Sequence, residues 1–259
     1  MKIYQIDTFT DKRFGGNPAA VCPLEKWPAD EVLQKIANEN NLAETAFYVK
    51  EKSGYHIRWF TPTVEVDLCG HATLASAYVL FTYEGHKENQ VSFQSRSGEL
   101  LVRKDGDFLT LNFPTDTVKE VNVSSMITSA FHVSPIKAFK GKTDYLLVYE
   151  NEDQILQLEP DFRLVEKLDA RGVIVTSRGK KVDFVSRFFA PQSGINEDPV
   201  TGSAHTSLTP YWSKELGKND LTAMQISARQ GFLKCKNLGE RTEISGQACT
   251  YMVGEILNN

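Results

Sequence analysis

The sequence predicts an α+β protein of two pseudo-symmetric halves, each a curled, mostly antiparallel sheet around a central apolar helix. Three observations carry that reading. Short motifs recur in the same order in both halves of the 259-residue chain. Alternating apolar residues between turn signals mark many short strands. Residues 72–81 lack a polar face, the pattern of a buried helix.

The repeat is visible residue by residue. DEVLQKIA at 30–37 resembles DFRLVEKL at 161–168. Arg58-Trp59-Phe60-Thr61-Pro62 resembles Arg187-Phe188-Phe189-Ala190-Pro191, and Gly70-His71-Ala72 resembles Gly202-Ser203-Ala204. Arg96-Ser97-Gly98 resembles Arg229-Gln230-Gly231. The offsets are 131, 129, 132 and 133, all near half the chain, the signature of a duplicated unit. The Asp105-Gly106 turn also has a counterpart at Leu238-Gly239.

In chain order, 1–10 reads as a strand, Phe14 to Pro18 as a turn, and 19–22 as a short apolar strand. Pro28 and Asp30 open a helix that Asn40-Asn41 closes, with Val32, Leu33 and Ile36 on one face. Strands follow at 43–50 and 55–60, then the apolar helix entered through Cys69-Gly70-His71. Residues 91–93 and 98–113 are strands again, with Asp105-Gly106 as a hairpin turn. The second central helix is expected at about 203–213. The expected domains are 1–116 and 117–259. Two such units side by side would form a cleft, a favoured place for a ligand.

Composition excludes several classes. Hydrophobic residues make up 41% and charged ones 24%, enough apolar surface to offset ordering entropy and exclude dominant disorder. With 29 basic and 33 acidic residues, the net charge of −4 supplies no basic field for nucleic acid. Four separated cysteines form no C-x-x-C pair, against a zinc ribbon or thioredoxin-type motif. The N-terminus reads as a strand and not a signal peptide. No apolar run approaches the roughly 18–20 residues that span a bilayer. The expectation is a cytoplasmic protein with reduced thiols. No G-x-G-x-x-G is present, so no nucleotide cofactor is expected. No ligand spacing signals a metal.

Duplication acts as an internal control, because residues that break the repeat are candidates for chemistry. The Arg-aromatic-Phe-x-Pro element is shared and reads as part of the fold. Glu44 is unmatched; its counterpart is about Gly172. It is either a solvent-facing residue at a strand's beginning or a desolvated carboxylate suited to moving protons. Asp198, opposite Val66, is also unmatched, in a polar run ending Thr201-Gly202-Ser203-Ala204-His205. Glu197 and Asp198 could merely favour a helix N-terminus at about 0.3–1 kcal/mol. Thr201 or Ser203 could be a cap. Gly70 and Gly202 open turns whose free N–H groups suit a carboxylate. His71 and His205 sit at those turns, while His56, His86 and His132 read as surface residues. Cys69 is either a small buried hydrophobe or a thiolate at a helix N-terminus.

Taken together, Asp7-Thr8-Phe9-Thr10, Gly16-Asn17-Pro18-Ala19, the run from Asn41 to Phe47, the run from Asp67 to Thr73, and the run from Glu197 to His205 resemble the phenazine biosynthesis PhzF-like isomerases, over the whole chain and in the family's order. The resemblance implies a diaminopimelate epimerase-like fold. It implies Glu44 as acid/base, His71 and Asp198 as catalytic partners, and Gly70, Thr201, Gly202 and Ser203 as substrate-binding groups. Related epimerases use two cysteines; Cys69 matches the first, and no cysteine stands near Val200 for the second. The expected function is therefore a cofactor-independent isomerase moving a proton on a small carboxylate. A Cys69-assisted epimerase or racemase, or a non-catalytic carboxylate-binding protein, are the alternatives. A homodimer is expected from the resemblance alone, with no nucleic acid or membrane as partner.

Overall fold

The structure is a computed structural model describing residues 1–257. The chain forms two compact units. One is Met1–Asn112 joined by the chain from Ser245 onward, and the other is Phe113–Ile244. The chain from Ser245 onward therefore belongs with the first unit. Strand β18 (Ala248–Glu255) pairs antiparallel with β1 (Lys2–Thr8) and so returns to the first unit.

In the first unit, β1 also pairs antiparallel with β2 (Asn17–Leu24). β2 runs parallel to β3 (Glu44–Lys50), with α1 (Asp30–Asn40) as the crossover. β4 (Tyr55–Phe60) is antiparallel to β3 and parallel to β6 (Gln90–Ser95), with β5 (Glu65–Val66) and α2 (Gly70–Thr82) between them. β7 (Gly98–Asp105) and β8 (Phe108–Pro114) complete the sheet as a hairpin. Helix α2 packs against β1, β2, β3, β7 and β18, strands from both ends of that order. The sheet therefore curls around it, as the lack of a polar face over 72–81 predicts. Its two buried hydroxyls are satisfied within the helix: Thr73 donates to the Cys69 carbonyl at 2.6 Å and Ser76 to the Ala72 carbonyl at 2.8 Å. Helix α1 covers the other face, burying Leu33 and Ala37 against Cys22, Phe47 and Phe60.

The turn predicted at 14–18 is shorter, because Asn17 and Pro18 already belong to β2. Gly16 makes that early start possible. It has φ +60, and a Cβ there would lie 1.9 Å from the Thr8 carbonyl oxygen. The buried Asp7 carboxylate accepts the Phe14 N–H at 2.8 Å and holds the turn closed.

The second unit repeats these pairings. β9 (Lys119–Val121) and α3 (Ser125–Phe131) lead to β10 (Lys137–Lys140), which is antiparallel to β9 and to β11 (Asp144–Val148). β11 runs parallel to β12 (Gly172–Arg178), and β12 antiparallel to β13 (Phe184–Ala190). β13 pairs with β14 (Ile195–Asp198) and runs parallel to β15 (Asp220–Gln225), which forms a hairpin with β16 (Gly231–Asn237). β17 (Arg241–Gly246) follows. The place of α1 is taken by two short helices, α4 (Glu152–Gln157) and α5 (Phe162–Val165). Their apolar residues Ile155 and Val165 join the core of Phe131, Tyr149, Val175 and Phe189.

The second central helix, α6 (His205–Leu216), starts two residues later than expected and contains Pro210. Proline lacks the N–H that would bond the Thr206 carbonyl. That carbonyl instead accepts the Asp116 N–H at 3.2 Å. Trp212 of α6 stacks on Phe184 and donates to the Thr176 hydroxyl at 2.9 Å. No helix among the described residues is long and apolar enough to cross a membrane.

Candidate active site

The shared arginines do what the repeat implies. Arg58 grips Glu65 through two hydrogen bonds of 2.7 and 2.8 Å, and Arg187 grips Glu197 through two of 2.7 and 2.9 Å. Glu197 is therefore part of a strand-pinning ion pair that both copies possess. This separates it from its unmatched neighbour Asp198.

In the first unit the unmatched residues gather at the start of α2. Glu44 is the first residue of β3, and its side chain is only 17% exposed. Its Oε2 lies 3.3 Å from Nε2 of His71, the second residue of α2. On the other side of the imidazole, Nδ1 lies 3.4 Å from Asn17 Nδ2 and 3.5 Å from Cys69 Sγ. Burial pushes the His71 pKa down to about 4, so the ring is neutral at physiological pH. The Asn17 amide and the Cys69 thiol are donors facing Nδ1, which assigns the ring proton to Nε2, toward Glu44. The Nε2 approach is off the line of a full hydrogen bond.

Ligand atoms of Glu44, Cys69 and His71 all lie within 4.8 Å of one another, the residue types of a metal site. However, the carboxylate and the thiol face opposite nitrogens of the ring. That disposition suits a proton path better than a shared coordination point. The first N–H groups of α2, from Gly70 onward, have no partners within the helix and face its N-terminal end.

In the second unit Asp198 ends β14, and its Oδ2 accepts the Thr201 hydroxyl at 2.5 Å. Beneath this turn lies Gln225, wholly buried. Its Oε1 accepts the Thr201 N–H at 2.8 Å and its Nε2 donates to the Asp198 carbonyl at 2.8 Å. His205 bonds the Thr201 carbonyl through Nδ1 at 2.8 Å, and burial holds its pKa down at about 4. It is a neutral brace behind the turn. Ser203 faces Arg171, whose Nη2 donates to its Oγ at 3.2 Å, while Asp144 clasps the same guanidinium through two further bonds.

The sequence marks Glu44, His71, Asp198, Gly70, Thr201, Gly202 and Ser203 as candidates. The structure joins Glu44 to His71 and Asp198 to Thr201. It also adds Asn17, Gln225 and Arg171, which the repeat does not mark. Asn17 lies within the Gly16-Asn17-Pro18-Ala19 motif, and Arg171 immediately precedes the glycine paired with Glu44 in the repeat. Gln225 carried no local signal. Of the four free cysteines, only Cys69 adjoins this histidine; Cys22 and Cys235 are buried, with thiol pKa values pushed up to about 12.

Curated relatives named as isomerases set the class of this chain, and its architecture is epimerase-like. The chain belongs to the family described as phenazine biosynthesis-like protein, whose profile matches residues 6–254. It is 50% identical over 256 residues to an uncharacterized isomerase of Pseudomonas aeruginosa, covering 99% of this chain and 98% of that one. It is 37% identical over 290 residues to the human phenazine biosynthesis-like domain-containing protein, covering 99% of each. A crystal structure of a PhzF family protein from Enterococcus faecalis superposes with a TM-score of 0.97 at 45% identity, covering 99% of both chains. A hydroxyproline epimerase from Agrobacterium vitis shares the fold alone, with a TM-score of 0.61 at 12% identity over 98% of this chain and 91% of that one.

Proposed function

We propose that this protein isomerises a small carboxylate by moving a proton between carbons, with Glu44 as the acid/base. The single observation that carries this is the largely buried Glu44 carboxylate 3.3 Å from a buried, neutral imidazole at the start of α2. The Glu44 carboxylate takes a proton from a C–H next to an electron-withdrawing group and becomes a carboxylic acid. The electron pair left on carbon delocalises into that group. Glu44 then returns the proton to a different carbon, so the atoms balance without a co-reactant. His71, held by Asn17, orients the carboxylate. Gly70 and Gly202, through backbone N–H groups, and Ser203, through its hydroxyl, are assigned to the substrate. Asp198, aligned by Thr201, is assigned to stabilising developing charge.

A second reading has its own observation: Cys69 Sγ lies 3.5 Å from His71 Nδ1, so a thiol could share the proton work in an epimerase. One experiment separates the two. Small amino and hydroxy acids are screened by NMR for deuterium uptake at carbon in deuterated water. Glu44→Gln is expected to lower exchange by about 10²–10⁴-fold with the circular-dichroism spectrum unchanged. Cys69→Ala is expected to leave it within a few-fold of wild type. Full exchange in Glu44→Gln overturns the role of Glu44, and loss confined to Cys69→Ala selects the epimerase.

A further inference from the structure

The two units solve the same position in opposite ways. β2 lies parallel to β3 with Ala19 opposite Glu44, and β11 lies parallel to β12 with Asp144 opposite Gly172. Gly172 thus occupies the place of Glu44. A Cβ at Gly172 would sit 2.4 Å from the Phe188 ring, so no side chain fits there. Arg171, one residue earlier, lays its guanidinium over that ring with its centre 5.2 Å from the centroid. Its Nη2 meets Ser203 Oγ at 3.2 Å, and Ser203 is the repeat counterpart of His71. Where one copy sets an acid against the residue after the glycine, at 3.3 Å, the other sets a cation.

The cation is fixed and partly open. Arg171 Nε and Nη2 donate to Asp144 Oδ1 and Oδ2 at 2.9 and 2.5 Å. Asp144 is buried, whereas the Arg171 side chain is 41% exposed. Among the described residues Nη1 donates to no group. Ser203 Oγ accepts from Arg171, which leaves its own hydrogen to donate elsewhere. Burial works against the charge on Arg171, but the Asp144 hydrogen bond and the charges of Asp144, Asp198 and Asp116 outweigh it and hold the group protonated. Without this guanidinium, three carboxylates would oppose any anion approaching the turn.

We propose that Arg171, through Nη1, and Ser203, through its hydroxyl, form a carboxylate-recognising subsite, making Arg171 a specificity residue for the substrate. That the ligand is the substrate rests on the isomerase reading above. Asp144 preorganises the guanidinium fork, so little side-chain entropy remains to be lost when the ligand binds.

The test uses α-amino and α-hydroxy acids, each beside its primary amide, with binding read by saturation-transfer NMR. The wild-type protein is expected to favour acid over amide by about tenfold, the scale of a hydrogen bond to a charged group. Arg171→Gln is expected to remove most of that preference, leaving only what the Gly70 and Gly202 N–H groups and the Ser203 hydroxyl supply. It also strands Asp144, so Arg171→Gln/Asp144→Asn provides a neutral, hydrogen-bonded replacement pair. Arg171→Lys keeps the charge against Asp144 but lacks a second edge, and is expected to lose about threefold or more of the preference. For any acid that is turned over, KM should rise about tenfold while kcat stays within about threefold. An acid preference that persists at full strength in the folded double variant or in Arg171→Lys overturns the subsite, as does a wild-type protein that never distinguishes acid from amide. The isomerase reading fails separately: acids bind in an Arg171-dependent way, yet no carbon exchanges deuterium.

Discussion

His71 connects the residues of the first unit's site, and its behaviour follows from where each of its nitrogens looks. Two donors on Nδ1 leave Nε2 to carry the proton, and burial keeps the ring uncharged. Asn17 and Cys69 thereby set the tautomer that Glu44 meets. In the second unit Gln225 has the comparable supporting task, holding the Thr201 N–H and the Asp198 carbonyl from below. Gln225→Ala would leave both backbone groups buried without that partner, at about 1–3 kcal/mol each. The expected result is a lowered urea midpoint together with reduced turnover. A midpoint equal to wild type would show that Gln225 is not the brace described. The duplicated sequence pointed to Glu44 and Asp198 because their counterparts differ. It could not point to Gln225, since an amide on a strand looks the same whether it faces water or a buried turn.

At the level of elements, each central helix is positioned by what precedes it. α2 is capped by an extended Cys69 with no side-chain cap, so its first N–H groups stay available. β2 begins at Asn17 only because Gly16 turns the chain with a positive φ against the Thr8 carbonyl. Gly16→Ala adds a methyl where backbone already stands and should cost well over about 1 kcal/mol, shifting Asn17 away from His71. Gly106→Ala, with φ +58 and open space around its Cβ, isolates the left-handed cost alone, at about 1–2 kcal/mol. Chemical denaturation of both variants measures the difference; equal losses would mean that the Thr8 contact is unimportant. The apolar composition of 72–81 announced α2 correctly. The second helix was legible by repeat, but its start slipped because Gly202, Ser203 and Ala204 form a turn that precedes it.

Across the whole molecule, two buried histidines couple stability to pH. His71 and His205 each have a folded pKa near 4, below the ordinary value of about 6.5. The unfolded chain therefore binds more protons between those limits. The stability they protect is complete above about pH 6.5 and falls as the solution is acidified toward pH 4. Between pH 7 and pH 5 the loss should be about 2 kcal/mol for each histidine. Urea unfolding at the two pH values checks it, and an unchanged unfolding free energy would mean that the imidazoles are protonated in the folded state.

The sequence by itself determined the duplication, the two central helices and the family, because those depend on patterns that survive in order along the chain. It also marked Glu44 and Asp198, through the failure of the repeat at those positions. Only the tertiary structure decided which unit owns the final strand, since β1 offers β18 an edge that no local pattern reveals. It alone decided that Asn17 and Cys69 share His71 with Glu44, and that Arg171 stands beside Ser203. Those contacts join segments distant in sequence, and burial, which fixes the charge of each imidazole, exists only once the chain has packed.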